Sequence, residues 1–368
     1  MGIAKSTAKY EAWLARRTPL IEEDLDLKHR EMAADSFRFL RATFYRWCEI
    51  WPRICPEAAH APAVLAVGDL HVENFGTWRD VEGRLVWGVN DFDEVCPMPY
   101  TIDLVRLAAS AHLAIASNHL SIGVKDACDA ILAGYREGLA RGGAPIVLGE
   151  HHHWLRQLAA SELRDPIPYW QKMEALPTFK GKVPKSAVRA LEQMMPEKGL
   201  QYRLVHRIAG LGSLGRQRFV ALADWRGGKI AREAKALVPS AHLWAGGRTN
   251  SGKIFYEEAL REAVRAPDPF VELRGRWIVR RLAPDCSRIE LAALPKERDE
   301  SRLLFEMGHE TANVHLSGRR AVKAILRDLK QRRGDWLHKA AVAMSAATEK
   351  DWEGWRAHAS KKPAGKAG

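Results

Sequence analysis

Asp69 and Asn74 stand five positions apart in Gly68-Asp69-Leu70-His71-Val72-Glu73-Asn74-Phe75, and a strand-like segment downstream ends in Asp91-Phe92-Asp93. An acid, an amide five residues on and further acids after the next strand are suited to phosphoryl transfer. The first acid orients or deprotonates an acceptor, while the amide and the second acid hold Mg2+ on phosphate groups. Side chains two apart in a strand share a face, so Asp91 and Asp93 are predicted side by side. Buried carboxylates so placed repel unless a cation neutralises them, and a hard divalent cation with oxygen ligands meets that need. Asn74, Asp91 and Asp93 are therefore the metal-ligand candidates, and Asp69 and His71 the catalytic ones, His71 either orienting the turn or bonding Asp69. Taken singly, Asp-x-Asp is most often a solvated turn and Asp-x4-Asn carries almost no information. Set together between apolar strands, they are hard to attribute to chance.

A second pattern, Gly210-Leu211-Gly212-Ser213-Leu214-Gly215, fits G-x-G-x-x-G, which dinucleotide-binding and kinase loops share. A dinucleotide loop opens a helix. Here Phe219 to Ala223 leads instead into the turn Trp225-Arg226-Gly227-Gly228 and a further strand-like segment, Lys229 to Leu237. Strand, glycine-rich loop, strand, turn, strand is how a kinase covers ATP phosphates with backbone N–H groups. Gly210, Gly212, Ser213 and Gly215 are thus candidate ATP contacts. The last strand should add a cation for the phosphates. Arg232 and Lys235 both qualify, on opposite faces of an ideal strand, and the choice between them stays open. Glu257, Glu258 and Glu262 are candidate partners for that cation, and Arg280 and Arg281 lie either by the cleft or in solvent.

The elements that must position these residues can be read from periodicity. Glu31 to Ile50 is predicted as a helix, with Met32, Phe37, Leu40, Phe44 and Trp47 at helical spacings. Val64 to Val67 and Leu85 to Val89 are short apolar strands, and Tyr100 to Ser117 is an Ala-rich helix. Glycine clusters and short runs from Arg207 to Leu294 predict antiparallel strands, and Arg298 to Ser317 returns to helix. The resulting domain organisation is an N-terminal helical segment (1–60), a mainly helical catalytic lobe (61–200) and a glycine-loop sheet lobe (201–297). C-terminal helices (298–350) and a basic, disordered tail (351–368) complete it.

Composition narrows the class. An excess of 57 Lys and Arg over 45 Asp and Glu gives a net charge of +12, which favours anionic partners such as nucleotides, phosphorylated substrates, nucleic acid or anionic membrane surfaces. No aromatic-basic motif singles out nucleic acid. Cys48, Cys55, Cys96, Cys128 and Cys286 are scattered without CxxC spacing, against a zinc site or a disulfide framework. The N-terminus lacks an apolar signal core, and the apolar run Leu104 to Ser117 is too short to span a bilayer, so a cytoplasmic location is expected. Gly2 and Ser6 fit only a loose myristoylation pattern. His151-His152-His153 reads as incidental loop histidines, and the tryptophans as core. No Gly-x-Ser-x-Gly or HExxH pattern supports a hydrolase or zinc protease.

GDLHVENFG, NDFDE and PYTIDLVRLAAS together resemble the core of the bacterial family catalogued as domain of unknown function 2252. FRFLR (Phe37 to Arg41), AGLGSLGRQRFVAL and REAKALVPSA extend that resemblance to residues 25–325. The first portion is also similar to the catalytic segment of aminoglycoside and choline phosphotransferases. That similarity implies Asp69 as catalytic acid/base, Asn74 and Asp91 as metal ligands, and Asp103 as a structural aspartate. The chain departs from it at Val67, where those enzymes carry His, and at Arg232-Glu233-Ala234, where the wider uncharacterised family has Lys-Glu-Ala. In ordinary kinases the glycine loop precedes the catalytic aspartate; here it follows. The expected fold is therefore α+β, a two-lobed protein-kinase-like fold with a circular permutation that puts the catalytic lobe first. Met307 to His315 resembles the helix leading into the catalytic loop, displaced to the C-terminal part as a permutation requires.

Three functional classes are compatible with this reading. The first is an Mg2+-ATP-dependent phosphotransferase, with a small-molecule acceptor favoured over a protein. The second is a nucleotidyl transferase on the same fold. The third is non-catalytic, a nucleotide-sensing pseudokinase or a basic nucleic-acid-binding protein. The acceptor and the oligomeric state are open.

Overall fold

The computed structural model describes residues 1–149, 152–159, 165–247, 252–286 and 299–361. Helices α1 (Ile3–Ala15), α2 (Glu22–Ala34), α3 (Ser36–Ala42), α4 (Phe44–Ile54) and the short α5 (Pro56–Ala59) open the chain. The single helix predicted over Glu31 to Ile50 is broken twice. Asp35 is extended (φ −153°) and its carboxylate accepts the Arg38 N–H at 2.7 Å, which ends α2 and caps α3. Thr43 (φ −128°) then separates α3 from α4. A side-chain cap satisfies backbone donors that a continuing helix would otherwise bond itself.

Strands β1 (Ala63–Ala66), β2 (Phe75–Arg79), β3 (Leu85–Val89) and β4 (Cys96–Pro99) follow, then α6 (Thr101–Ala116), α7 (Val124–Arg141), β5 (Ile146–Val147) and α8 (His153–Ala159). β1 pairs antiparallel with β4, while β2, β3 and β5 form a second small antiparallel sheet. After α9 (Pro166–Glu174) and α10 (Lys185–Gln193) comes the largest sheet, built from β6 (Arg203–Val205), β7 (Arg218–Trp225), β8 (Gly228–Ala236), β9 (Val271–Arg274) and β10 (Trp277–Leu282). Its order is β6-β7-β8-β10-β9 with every neighbour antiparallel. Helices α11 (Ala241–Ala245) and α12 (Tyr256–Glu262) lie between β8 and β9, and α13 (Glu300–His315), α14 (Val322–Gln331) and α15 (Trp336–Ala359) follow. The architecture is mixed α+β with antiparallel sheets, as expected.

Helix α6 is apolar on nearly all sides because it is enclosed: α3, α7 and α15 pack around it, and Leu104, Val105, Leu107 and Ala109 are fully buried. Among the described residues no helix is long and apolar enough to cross a membrane. Helices α7 and α13 approach so closely that a Cβ on Gly134 would lie 1.9 Å from the Phe305 carbonyl, and one on Gly308 2.0 Å from the Ile131 carbonyl. The three nearest atoms at each position are backbone, which no rotamer change can move. Gly308→Ala is expected to cost about 3 kcal/mol, the upper end of ordinary overpacking. Urea unfolding checks this, and a loss under about 1 kcal/mol would show that the helices separate without penalty.

Packing moves three predicted boundaries. Ala187, Ala190 and Leu191 of α10 pack on Phe219, Ala234, Ala236, Trp277 and Val279, one face of the large sheet. Met173 of α9 packs with Val205, Val220, Leu222, Ala231 and Leu282 on the other face. Both helices thus belong with the sheet rather than with residues 61–200. Conversely, α11 returns to the helical body, where Trp244 meets Tyr10 edge-on at 5.2 Å. Finally, α15 runs to Ala359, and Trp355 is buried with Ile3, Met32 and Phe39, so residues 351–359 are helix and not tail. Residues 362–368 of that predicted tail lie outside the described residues.

Candidate active site

The chain leaves β1 at Ala66 and turns under the control of Asp103. This aspartate, fully buried in the first turn of α6, accepts the N–H groups of Val67 (2.6 Å) and Gly68 (2.8 Å). His315 of α13 bonds the same carboxylate at 2.9 Å and Tyr135 of α7 at 2.9 Å, so two further helices hold the turn. Gly68 has φ +84°, and a Cβ there would lie 2.8 Å from the Glu94 carbonyl, so glycine is required. The next residue, Asp69, projects inward and receives Arg106 Nε at 3.0 Å. Arg106 is itself fully buried, donates to the Leu40 carbonyl at 2.8 Å and lies over the Phe44 and Trp47 rings. Burial raises the Asp69 carboxyl above its ordinary value, and Arg106 opposes but does not cancel that effect.

Asn74 fastens this turn to the second acidic one. Its Nδ2 donates to the backbone carbonyls of Asp69 (3.2 Å) and Asp91 (3.1 Å), and its Oδ1 accepts the Asp91 N–H at 3.0 Å. His71 acts within the same loop: its Nδ1 accepts the Glu73 N–H at 3.2 Å and its carbonyl the Asn74 N–H at 2.8 Å. Of the two roles predicted for His71, this is the loop-orienting one.

Asp91 and Asp93 are not strand residues, since β3 ends at Val89. They are nevertheless brought together, by a turn in which Asp91 Oδ1 accepts the Asp93 N–H at 3.0 Å. Lys235 Nζ bridges them, 3.0 Å from Asp91 Oδ2 and 2.6 Å from Asp93 Oδ1. Arg216 lies 3.5 Å from Asp93 Oδ2 and bonds Glu94 at 3.0 Å. Although burial opposes it, Lys235 holds the Asp91 carboxyl well below the usual range; burial and the neighbouring Asp91 push Asp93 up to about 7.

The sheet settles the choice of cation by parity. Glu233 and Lys235 face the acids, whereas Arg232 points to the opposite side, bonding the Met194 carbonyl at 2.9 Å and lying over the Phe270 ring. Arg232 therefore does not reach the acidic pair, and Lys235 is the cation there. The candidate partners on α12 do not reach it: Glu258 pairs with Lys253 and Glu262 with Arg261, and Asp91 and Asp93 take that place. Arg280 faces the cleft and Arg281 the Phe270 ring at 4.2 Å.

The glycine loop joins β6 to β7 through a 3-10 turn, Leu211–Ser213, with Gly210 at φ +72° and Gly215 at φ +90°. It lies against the Asp69 turn: a Cβ on Gly212 would be 3.1 Å from Asp69 Oδ2 and 3.0 Å from the Arg41 carbonyl. The Ser213 and Arg216 N–H groups bond within the loop, at 3.0 and 3.1 Å, so they are not offered to a ligand. Lys28, buried on α2, donates to the Gly212 carbonyl at 3.0 Å, and burial lowers its ammonium from 10.5 to about 8. The unfolded chain therefore binds more protons than the folded one across that window, and stability rises with pH through it. In Lys28→Met this rise should be absent. Unfolding free energies of both proteins at pH 8 and pH 10.5 check it, and parallel changes would refute it.

Asp69, His71, Asn74, Asp91, Asp93 and the loop residues Gly210 to Ser213 line one cavity of about 560 Å³, whereas Lys235, Arg106 and Lys28 lie outside its lining. The lining includes the carboxylates Asp69, Glu73, Asp91, Asp93 and Glu94 and the guanidiniums Arg207, Arg216, Arg218 and Arg280. A lining of both signs suits an anion carrying a cation. Among the described residues no group of three or more His, Cys, Asp or Glu could hold a metal ion alone. Mg2+ needs no such cage, because it is commonly held by one or two carboxylates and substrate phosphates. The Lys235 ammonium between Asp91 and Asp93 shows that the pair accepts a cation. Of the histidine triplet, His152 lies 3.7 Å from Glu306, outside the cavity lining, and His151 lies outside the described residues.

Sequence reasoning missed Arg106, Arg207, Arg216, Arg218 and Glu233. Arg216 and Arg218 directly follow the loop two apart, and Glu233 and Lys235 repeat that spacing, so strand alternation could have flagged both pairs. Residues 17–164 match the family described as "Uncharacterized protein conserved in bacteria (DUF2252)". That stretch is where the chain is similar to the family. It carries Asp69, His71, Asn74, Asp91, Asp93, Asp103 and Arg106, and ends before the glycine loop and Lys235, short of the 25–325 read from sequence. No curated protein and no solved structure matches the chain.

Proposed function

We propose that this protein is an Mg2+-ATP-dependent phosphotransferase acting on a small molecule, on a circularly permuted kinase-like arrangement. One observation carries the reading: the Asp69 turn, the Asp91-Asp93 turn and the glycine loop meet at one cavity, with Gly212 against Asp69 Oδ2, and Lys235, just outside its lining, bridges Asp91 and Asp93. A cavity of about 560 Å³ suits a small ligand. The packing of the first helix on the last, Ile3 against Gly354, is what a permuted order tolerates. In the reaction Asp69 takes the acceptor hydroxyl proton as its oxygen bonds the γ-phosphorus, and the β–γ bridging bond breaks to release ADP. Arg106 fixes the carboxylate, and Lys235, bridging Asp91 and Asp93, holds the acidic pair that meets the nucleotide. Mg2+, held by Asp91 with Asp93, would neutralise charge on the transferred group; the Asn74 amide keeps the two acidic turns in register.

Calorimetry with ATP, with and without Mg2+, tests the reading, together with mass analysis of the group transferred to candidate acceptors. Lys235→Met is expected to weaken Mg2+-ATP binding roughly 10- to 100-fold, the worth of a charge-assisted bond. Absence of Mg2+-dependent nucleotide binding in the wild type would sink the reading. Transfer of an adenylyl instead of a phosphoryl mass would move it to nucleotidyl transfer.

A further inference from the structure

Three arginines meet on one carboxylate at the cavity wall. Glu233, fully buried on β8, accepts Arg207 Nη1, Arg218 Nη1 and Arg280 Nε, each at 2.9 Å. The register explains the meeting: Arg280 of β10 stands directly opposite Glu233, and Arg218 of β7 stands opposite Lys235, diagonal to Glu233. Like charges placed directly across a buried sheet face are destabilising. Asp91 and Asp93 answer Lys235, and Asp91 also acts on Arg280, so three guanidinium charges share Glu233 and part of one further carboxylate. An uncompensated buried charge is costly, and a structural network would be expected to balance it.

The donors are aimed as well as charged. Arg218 is 4% exposed and its second Nη donates to Ser213 Oγ at 2.9 Å, on the glycine loop. Among the described residues, no hydrogen bond engages either Nη of Arg280 or the second Nη of Arg207, and all three side chains line the cavity. Burial lowers the Arg207 guanidinium, and the neighbouring Arg280 and Arg218 add to that against the pull of Glu233, while, despite burial, Glu233 and Asp91 raise Arg280.

We propose that Arg207, Arg218 and Arg280, held by Glu233, form an oxyanion subsite that binds a phosphate group. The planar forks of arginine match phosphate oxygens in pairs, which the single ammonium of Lys235 cannot do. The subsite rests on the cavity's own geometry. Only its assignment, to the polyphosphate of the donor or to a phosphate carried by the acceptor, rests on the phosphotransferase reading.

Calorimetric titration with pyrophosphate and with inorganic phosphate, in EDTA to exclude metal, tests the subsite. Arg207→Gln is the primary variant because this side chain is 30% exposed on a loop and its loss leaves the sheet intact. Arg280→Lys keeps the charge and removes the fork, and Arg226→Gln, on the exposed β7–β8 turn, is the control. Wild type and Arg226→Gln should bind pyrophosphate alike, while Arg207→Gln should bind it at least about tenfold more weakly, with Arg280→Lys between. If ATP affinity falls in parallel, the subsite serves the donor. If ATP affinity holds while inorganic phosphate binding alongside a non-hydrolysable ATP analogue is lost, it serves the acceptor. No anion binding in the wild type, or equal binding in Arg207→Gln, overturns the subsite even where Mg2+-ATP turnover is found. Arginine-dependent anion binding without turnover would uphold it and leave the phosphotransferase reading to fall alone.

Discussion

Asp69→Asn is expected to lower turnover by about 10²- to 10⁴-fold while leaving Mg2+-ATP affinity near wild type. That range is what a positioned general base contributes. The nucleotide is assigned to Lys235 and the acidic pair, not to Asp69, so binding and turnover should separate. Asparagine keeps an oxygen for Arg106 Nε but removes the charge that faces this fully buried guanidinium. The loss in stability should be about 1–3 kcal/mol, below the cost for a wholly buried pair. Asp69 is 20% exposed, and Arg106 keeps the Leu40 carbonyl and two aromatic rings. Kinetics should therefore be measured well below the variant's melting temperature. In the wild type the acid limb of the rate profile should lie above the ordinary carboxylate range, because burial raises Asp69. Activity falls as pH drops through that value and Asp69 takes up a proton. A variant retaining a third of wild-type turnover, or an unchanged acid limb, would remove Asp69 from the base role.

Glu233→Gln should produce the larger effect on stability, about 3–5 kcal/mol, whatever the protein's function. Removing one partner of a buried ion pair strands the other charge. Here one carboxylate answers three guanidiniums, two of them cross-strand neighbours on β7 and β10. Despite full burial, the arginines hold the Glu233 carboxyl well below its ordinary value. A depressed carboxylate contributes stability that is complete above the unfolded value and is lost only as pH falls toward the folded one. Wild type should therefore lose stability in acid more steeply than the variant. Urea midpoints at pH 7 and at pH 4 measure both effects, and an unchanged midpoint at pH 7 would show that the cluster does not hold the sheet.

Much of the site was legible because it is local. Asp69 and Asn74 share one turn, and Asp91 and Asp93 another, so type and spacing alone brought them forward as a set. The glycine loop was legible for the same reason, since φ values of +72° at Gly210 and +90° at Gly215 demand glycine wherever the loop ends up. Arg232 and Lys235 mark the limit of local reading. Alternation puts them on opposite faces, but which face meets the acids depends on the helix packed behind β8. Ala234 and Ala236 under α10 decide that Arg232 shares their side.

Arg106 marks the limit more sharply. In sequence it only interrupts an Ala-rich helix and names no partner. Its partner Asp69 lies 37 positions earlier, and only the enclosure of α6 makes the pair unavoidable, because a buried guanidinium must find an anion. The same holds for Glu233, whose three arginines come from two other strands and a loop. The chain by itself determined which residues could handle a metal and a phosphate, through backbone constraints confined to single turns. The tertiary structure decided which cation meets the acidic pair, what braces the candidate base and where positive charge accumulates. Those outcomes follow from desolvation, which no spacing rule carries and which makes each buried charge select its partners across the fold.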